Sequence, residues 1–204
     1  TSLLRRRSKV RILHGISKTD WSWAPLITDF DNDGFNDVFI TNGIQHDLSN
    51  QDFRNQMKTN IRNRKKVSLD EAITMIPSDT LPNYIFKNNK DLTFKNTTKE
   101  WGFNKKINSN GAAYSDLDND GDFDLIINNQ GEEASIYRNN ASQNHVVFTL
   151  KGSRKNTFAI GAKITLFSEG LQQSKQHFVS RGFQSSVSNK LHFGLGTTSK
   201  IDRV

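Results

Sequence analysis

An aspartate-rich frame that occurs twice is the feature that most constrains this chain. Residues 24–44 read APLITDFDNDGFNDVFITNGI, and residues 111–131 read GAAYSDLDNDGDFDLIINNQG; the two segments align without gaps. Both contain the frame D-x-D-N-D-G-x-x-D, followed by an apolar triplet and an Asn. Short apolar runs after a turn favour buried strands rather than helices. The sequence therefore predicts two equivalent loops, each leading into a strand.

The carboxylates in each frame have the spacing of a metal-binding loop. They fall at positions 1, 3, 5 and 9, so a tight turn would bring anions that repel each other into one hollow. A hard cation with an oxygen shell removes that repulsion, and Ca²⁺ accepts six to eight oxygens in flexible geometry. Gly34 and Gly121 stand at position 6, where a sharp reversal is needed. Two calcium sites are predicted, with candidate ligands Asp29, Asp31, Asp33, Phe35 and Asp37, and Asp116, Asp118, Asp120, Asp122 and Asp124.

These loops differ from an EF-hand, which needs a bidentate Glu at position 12, where this chain has Ile40 and Ile127. We expect weak affinity, with a Kd of about 10⁻⁴ to 10⁻³ M as in extracellular calcium modules. Position 7 would offer only its backbone carbonyl, so Asp118→Ala is expected to lower thermal stability more than Asp122→Ala. The alternative is an aspartate-rich turn that binds no metal. This alternative is less attractive because the same frame occurs twice, each time before a predicted strand. Catalytic use of these carboxylates is not expected.

A second shared element shows where the first copy has been extended. Residues 84–89, YIFKNN, resemble residues 135–140, SIYRNN. The first copy carries about 36 additional residues before this element, and without them the period falls to about 51, close to that of propeller-blade repeats. The extra residues, at about 45–80, have helical features: Phe53, Met57 and Ile61 recur every four residues after Ser49-Asn50, and residues 68–71 fit a capping box.

The rest of the chain has the pattern of strands and turns. A hairpin is predicted around residues 89–91, and a second turn at Glu169-Gly170. The predicted strands cover residues 83–89, 92–96, 146–151, 162–167, 176–179 and 192–196.

A domain boundary is predicted near residues 141–144, where the charge pattern changes. The net charge is +7, and residues 145–204 hold nine Lys and Arg against Glu169 and Asp202, so this segment carries the whole excess. Such a surface could attract anionic partners such as acidic glycans, lipid headgroups or nucleic acid. A solvated Lys-rich surface is the simpler interpretation, and we favour it.

The composition of the chain says little about the cellular compartment in which the protein works. The chain has no cysteine, so it has neither disulfides nor thiolate chemistry. No apolar run is long enough to span a membrane. Arg5-Arg6-Arg7 is not followed by an apolar segment, so the start is not predicted to be a signal peptide. The first residue is not Met, and we expect the chain to be a piece of a longer protein.

The two loops resemble the FG-GAP, or VCBS-type, repeats of integrin-like β-propellers. The end of the chain resembles the ASPIC/UnbV domain that follows such propellers in cartilage-acidic-protein-like proteins. Segments 19–25 and 81–89 are similar to a surface or exported subgroup common in Bacteroidetes-type bacteria. The motifs that carry the C-terminal resemblance are IGAKITL at 160–166, RGFQSS at 181–186 and LHFGLG at 191–196.

The resemblance implies a mainly β fold, with about two propeller blades over residues 1–144, the first with a helical insertion, and a small truncated β domain over 145–204. It implies an extracellular, cell-surface or periplasmic protein that binds calcium and has an adhesion role towards a protein or glycan, without catalysis. Association with a membrane surface stays open. Residues 1–14 depart from the blade pattern, and the chain stops where the family continues its final strand.

An enzyme and a nucleic-acid-binding module are the two other function classes. An enzyme would need a nucleophile or phosphate-binding motif or a His pair at metal spacing, and the five histidines (14, 46, 145, 177 and 192) are scattered. An accessory or catalytic role in a biosynthetic or polysaccharide-processing pathway is kept as the alternative. Phe178, Phe183 and Phe193 could imitate a stacking platform for nucleic acid, but the chain has no matching recognition pattern, and no specific nucleic acid is expected. Trp21 and Trp23 could stack on sugars, although packing between blades is favoured.

Overall fold

The chain is mainly β, as predicted. The computed structural model describes residues 16, 19–78 and 80–204, so the departure noted for residues 1–14 lies outside the described part. Its elements are β1 Ser22–Thr28, β2 Asp37–Asn42, α1 Gln51–Arg62, α2 Leu69–Thr74, β3 Tyr84–Asn88, β4 Phe94–Asn96, β5 Ser109–Ser115, β6 Asp124–Asn129, β7 Ser135–Tyr137, β8 Asn144–Phe148, β9 Lys163–Ser168, β10 Leu171–Gln176 and β11 Leu191–Gly196.

The duplicated sequence forms two antiparallel sheets with the same register. The first sheet has the order β1-β2-β3-β4 and the second the order β5-β6-β7. Leu26 pairs with Phe39 in the first sheet, and Ala113 pairs with Ile126 at the equivalent place in the second. Both first strands have a register irregularity at corresponding positions. The sequence repeat is therefore also a structural repeat.

The two sheets share one apolar core. In β1, Leu26 is fully buried while the next residue, Ile27, is 57% exposed, which is the alternation of a strand with one face on a core. Phe103, from the segment between β4 and β5, joins the two sheets there: its ring centroid lies 5.3 Å from that of Phe39 in β2 and 4.5 Å from that of Tyr137 in β7. The buried members are Ala24, Leu26, Phe30, Phe39, Ile85, Phe103, Ala112, Tyr114, Phe123, Leu125 and Ile127.

The helical insertion lies between β2 and β3, and its predicted caps are confirmed. Asn50 Oδ1 accepts hydrogen bonds from the Asp52 and Phe53 amides at the start of α1. Ser68 and Glu71 form the reciprocal capping box that begins α2. Neither helix has a buried residue. Local capping, rather than burial against the sheets, therefore defines where these helices start.

Strands β8 to β11 form two antiparallel pairs after the second sheet. β8 pairs with β11, and β9 pairs with β10. The apolar residues of these strands form a second core around Leu166 and Phe193, both fully buried, with Phe148 packed edge-on to Phe193 at 5.6 Å. Because β8 begins at Asn144 and pairs with β11, the strand after the predicted boundary packs with the C-terminal segment.

The predicted strand at 176–179 was wrong. The turn at Glu169-Gly170 is present, with both residues at positive φ, but the strand starts directly after it and ends at Gln176. Its sequence, LQQSKQ, is almost entirely polar, so no hydrophobic pattern marked it. Pairing with β9 over the whole of β10 specifies the strand instead.

No helix in the described part of the chain is long and apolar enough to cross a membrane.

Ile127 and Ile136 offer a matched test of the shared core. Ile127 is fully buried, whereas Ile136, on the neighbouring strand, is 68% exposed. We expect Ile127→Ala to lower the free energy of unfolding by about 2–5 kcal/mol, because it removes buried methyl groups and leaves a cavity. Ile136→Ala should change it by less than about 0.5 kcal/mol. Urea unfolding followed by fluorescence measures both, and equal losses would contradict the core described above.

Candidate metal centres

The two aspartate-rich loops have the same backbone conformation. Asn32 and Asn119, at position 4, have φ of 58° and 62°, and Gly34 and Gly121, at position 6, have φ of 91° and 92°. Asn tolerates this left-handed region better than most residues, and Gly enters it freely. The shared D-x-D-N-D-G sequence therefore specifies one turn twice.

Three carboxylates converge in the first loop. Asp29, Asp31 and Asp37 each offer an oxygen within 4.8 Å of the others. Asp29 is 1% exposed, and its two oxygens accept hydrogen bonds from the Asp33 and Gly34 amides at 3.0 and 2.8 Å. The position-1 carboxylate thus holds the turn of its own loop closed through these two hydrogen bonds.

The position-9 carboxylates join each loop to its third strand. Asp37 accepts hydrogen bonds from the Phe30 amide (3.1 Å) and from the Asn88 amide at the end of β3 (2.9 Å). Asp124 makes the two equivalent bonds in the second loop, both 2.9 Å long. Each position-9 carboxylate is therefore hydrogen-bonded both to its own loop and to the end of the third strand. It fixes the position of the loop relative to that strand.

The second loop brings together a different set of three. Asp116, Asp118 and Asp120 have oxygens within 4.8 Å of one another, whereas Asp124 lies outside this group. This loop is more open: the side chains of Asp118 and Asp120 are 33% and 36% exposed. The two candidate centres therefore share a backbone but differ in solvent access.

The remaining predicted ligands lie outside these groups. In the first loop, Asp33 Oδ1 accepts a hydrogen bond from the Phe35 amide (3.0 Å), and its Oδ2 lies 3.2 Å from Lys90 Nζ. Asp122 is buried, and its Oδ2 accepts a hydrogen bond from the Ala141 amide at 2.6 Å. The Asp122 side chain therefore fixes the segment after β7.

Basic side chains lie beside the carboxylates in both loops, which the spacing of the aspartates does not predict. Lys87 forms ion pairs with Asp31 and, at 3.8 Å, with Asp33. Arg138, at the same place in the second repeat, lies 2.8 Å from Asp118. The sequence contained the signal, because YIFKNN and SIYRNN both have a basic residue at their fourth position. Each loop thus has a basic partner in or directly after its third strand, and Lys90 is a further one in the first loop.

Electrostatics in the first loop favour an added cation. Burial raises the pKa of Asp29 to about 6; the charges of Asp33 and Asp31 act in the same direction, against the Gly34 amide and Lys175. Burial likewise raises the pKa of Asp37 to about 7. Each of these carboxylates resists ionisation beside its neighbours, and a divalent ion would relieve that cost.

Carboxylate oxygens without a hydrogen-bond partner indicate whether the residues in these loops fit calcium. Asp31 Oδ1 and Asp116 Oδ1 are buried without a hydrogen-bond partner, one in each group of three. A buried acceptor without a partner is costly, and a bound ion is one explanation for it. Carboxylate oxygens without nitrogen or sulfur donors are also the ligands that Ca²⁺ prefers. The donor sets in both loops therefore fit calcium.

Strand β11 lies directly on both loops. Its residue Gly194 packs so close to the first loop that a Cβ would overlap Asp29 Oδ2 and the Asn32 backbone. The Gly196 amide donates to the Asn32 carbonyl at 2.8 Å. His192 Nε2 donates to the Gly121 carbonyl at 2.7 Å. The C-terminal segment therefore contacts both candidate centres through its LHFGLG motif.

Burial keeps His192 neutral and lowers its pKa to about 4. It is 2% exposed, and its ring lies 4.7 Å from that of Phe123. The ring of His145 stacks on it at 5.2 Å, so two histidines distant in sequence are neighbours. Their contacts are those of packed side chains.

Residues 152–204 match the family model described as ASPIC and UnbV. No curated protein matches the chain. The match covers β9, β10 and β11, including the strand that packs on both loops. The resemblance of the repeats to FG-GAP sequences stays a prediction.

The structure refines the expected order of two substitutions. Asp118→Ala should remove the second calcium site, so isothermal titration would count one bound Ca²⁺ instead of two. Without calcium this variant should lose only about 0–1 kcal/mol, because its partner Arg138 is exposed. Asp122→Ala leaves the Ala141 amide unpaired, so it should lower stability by about 1–3 kcal/mol both with and without calcium. Loss of a bound ion in Asp122→Ala would contradict this assignment.

Proposed function

We propose that this chain is a calcium-binding repeat protein without catalytic activity, in which two bound ions stabilise the loops of two propeller-type blades. One observation carries the proposal: two loops with the same backbone each bring three carboxylates within 4.8 Å. The role of the ion is to neutralise this charge and to hold the loop and adjacent strands in register. Binding energy of this kind adds to folding energy.

The basic residues beside the loops are compatible with calcium. A lysine or arginine contributes one charge, whereas Ca²⁺ contributes two and accepts six to eight oxygens. The side chains of Lys87 and Arg138 are 35% and 67% exposed, so both can turn towards solvent when an ion binds. They also provide a partial counter-charge that keeps the loops folded before the ion arrives.

The proposed biological role is binding of a protein or glycan at an extracellular, cell-surface or periplasmic location. The C-terminal match to ASPIC and UnbV supports this context, because the resemblance links that domain to surface propellers. An accessory or catalytic role in a polysaccharide-processing or biosynthetic pathway is the alternative. The position-9 carboxylates argue against catalysis by these loops, because both of their oxygens accept backbone hydrogen bonds.

A cavity beside Trp23 supports a ligand-binding role. Its volume is about 560 Å³, within the usual range for small-molecule sites. Trp23 is held in place by a 2.7 Å hydrogen bond to the Gly43 carbonyl and by packing on Phe183 at 5.1 Å. Amide side chains complete the wall, as neutral saccharide hydroxyls require. The lining amides are Asn110, Asn128, Gln130 and Gln184.

Calcium should stabilise the folded chain measurably. With a Kd of about 10⁻⁴ to 10⁻³ M, 10 mM Ca²⁺ should add roughly 1–3 kcal/mol per site to the free energy of unfolding. Thermal melts in calcium, in chelator and in NaCl of equal ionic strength measure the effect. The double variant Asp31→Asn with Asp118→Asn should show no calcium-dependent rise. Identical midpoints for the unchanged protein in calcium and in chelator would refute the proposal.

Saccharide binding in the Trp23 cavity should change tryptophan fluorescence. Titration with neutral oligosaccharides should shift the emission of the unchanged protein and of a Trp21→Phe control, since Trp21 does not line the cavity. Trp23→Phe should lose the response. A response that persists in Trp23→Phe would exclude this cavity as the binding site.

A further inference from the structure

A small cavity of about 240 Å³ lies between the two sheets and the C-terminal segment. The sheets contribute Tyr114 and neighbouring residues, and β10 with the segment after it contributes most of the polar wall. We call it the basic cavity, and its charged or aromatic lining includes Tyr114, Lys175, His177, Phe178, Arg181 and Lys190. None of the aspartates of the two loops lines it.

The basic cavity has one sign of charge. Lys175, Arg181 and Lys190 line it, and none of the described residues in its wall is acidic. Within the described part of the chain, none of these three side chains forms a salt bridge. A concave surface lined by several cations and by no acidic residue concentrates small anions.

Lys175 lies in surroundings that disfavour its positive charge. Its ammonium lies over the ring of the buried Phe193, 5.3 Å from the ring centroid. Burial lowers the pKa of Lys175 to about 8; the charge of Asp29 opposes this shift, and that of Arg181 adds to it. The lysine is therefore held next to another cation in a partly desolvated place, and an anion would stabilise both.

His177 adds a second, independent observation. It lines the same cavity and is 2% exposed, yet neither Nδ1 nor Nε2 has a hydrogen-bond partner. Buried ring nitrogens are normally satisfied, and leaving such a group unpaired costs about 1–3 kcal/mol. Whichever nitrogen carries the proton can donate to an anionic oxygen.

We propose that the basic cavity binds an oxyanion: the sulfate, phosphate or carboxylate group of a small ligand. The guanidinium of Arg181 suits such a group because its donors match oxyanion geometry, and the lysines supply further charge. The volume is below the range of drug-sized sites, so the cavity holds an anionic group rather than a large molecule. This site requires neither calcium nor the Trp23 cavity.

The test is titration with sodium sulfate, sodium phosphate and sodium acetate in calcium-free buffer, with NaCl keeping the ionic strength constant. At least one oxyanion should bind saturably and raise the thermal midpoint, whereas chloride should not. Arg181→Gln should weaken that binding by about ten- to a hundredfold, the equivalent of one charge-assisted hydrogen bond. Arg181 is exposed, so this variant should fold normally.

Lys163→Gln is the matched control, because Lys163 is an exposed cation of the same segment that does not line the cavity. It should bind the oxyanion like the unchanged protein. Lys175→Met provides a second readout of opposite sign: it should raise the midpoint without any oxyanion and lose the oxyanion-dependent rise. Tighter binding of a sulfated or phosphorylated sugar than of the free ion would support the site and identify the source of the anionic group.

Three results would overturn the proposal. The first is an absence of saturable binding beyond the effect of NaCl. The second is an equal loss of affinity in Lys163→Gln and Arg181→Gln, which would indicate general surface charge. The third is binding to anionic lipid vesicles but to none of the free oxyanions. Because calcium is absent throughout, these outcomes do not depend on whether the aspartate loops bind metal.

Discussion

The contact between β11 and the first aspartate-rich loop is the constraint on which the rest of the arrangement depends. Gly194 leaves room for the loop because it has no side chain, and a Cβ at this position would overlap Asp29 and Asn32. The hydrogen bond between Gly196 and Asn32 holds the strand at this distance, while His192 reaches the second loop. The segment that matches ASPIC and UnbV thus connects both repeats, and the first glycine of its LHFGLG motif, Gly194, has a steric reason.

Local patterns in the sequence predicted the loops, the strands after them and the helix caps. These features are determined by neighbours within a few residues: alternate carboxylates with Gly at position 6, or Ser68 with Glu71. Strand β10 was misplaced because its stability comes from pairing with β9, which a polar sequence does not reveal. The ion pairs of Lys87 and Arg138, and the contact of Gly194 with Asp29, join residues far apart in the chain. Such pairings depend on how strands align across a sheet, which spacing alone does not specify.

The two loops share a turn but lie in different surroundings. In the first, Asp29 and Asp37 are each only 1% exposed and the Asp31 side chain is 19% exposed, whereas the second keeps Asp118 and Asp120 partly in solvent. The proposed ions would therefore exchange at different rates, fast in the second loop and slow in the first. The basic cavity lies on the same interface and puts Lys175 within electrostatic reach of Asp29. Charge of both signs is thus concentrated where the C-terminal segment meets the sheets.

The insertion between β2 and β3 leaves the strand pairing of the first sheet intact. Val38 pairs with Phe86 as Leu125 pairs with Tyr137 in the sheet without an insertion. The Asn42 amide also donates a hydrogen bond to Asn83 Oδ1, which joins the two ends of the helical insertion. A backbone cut within the helices would therefore yield two fragments that still share a sheet. The chain is for that reason a natural candidate for a split protein whose halves reassemble without a covalent link.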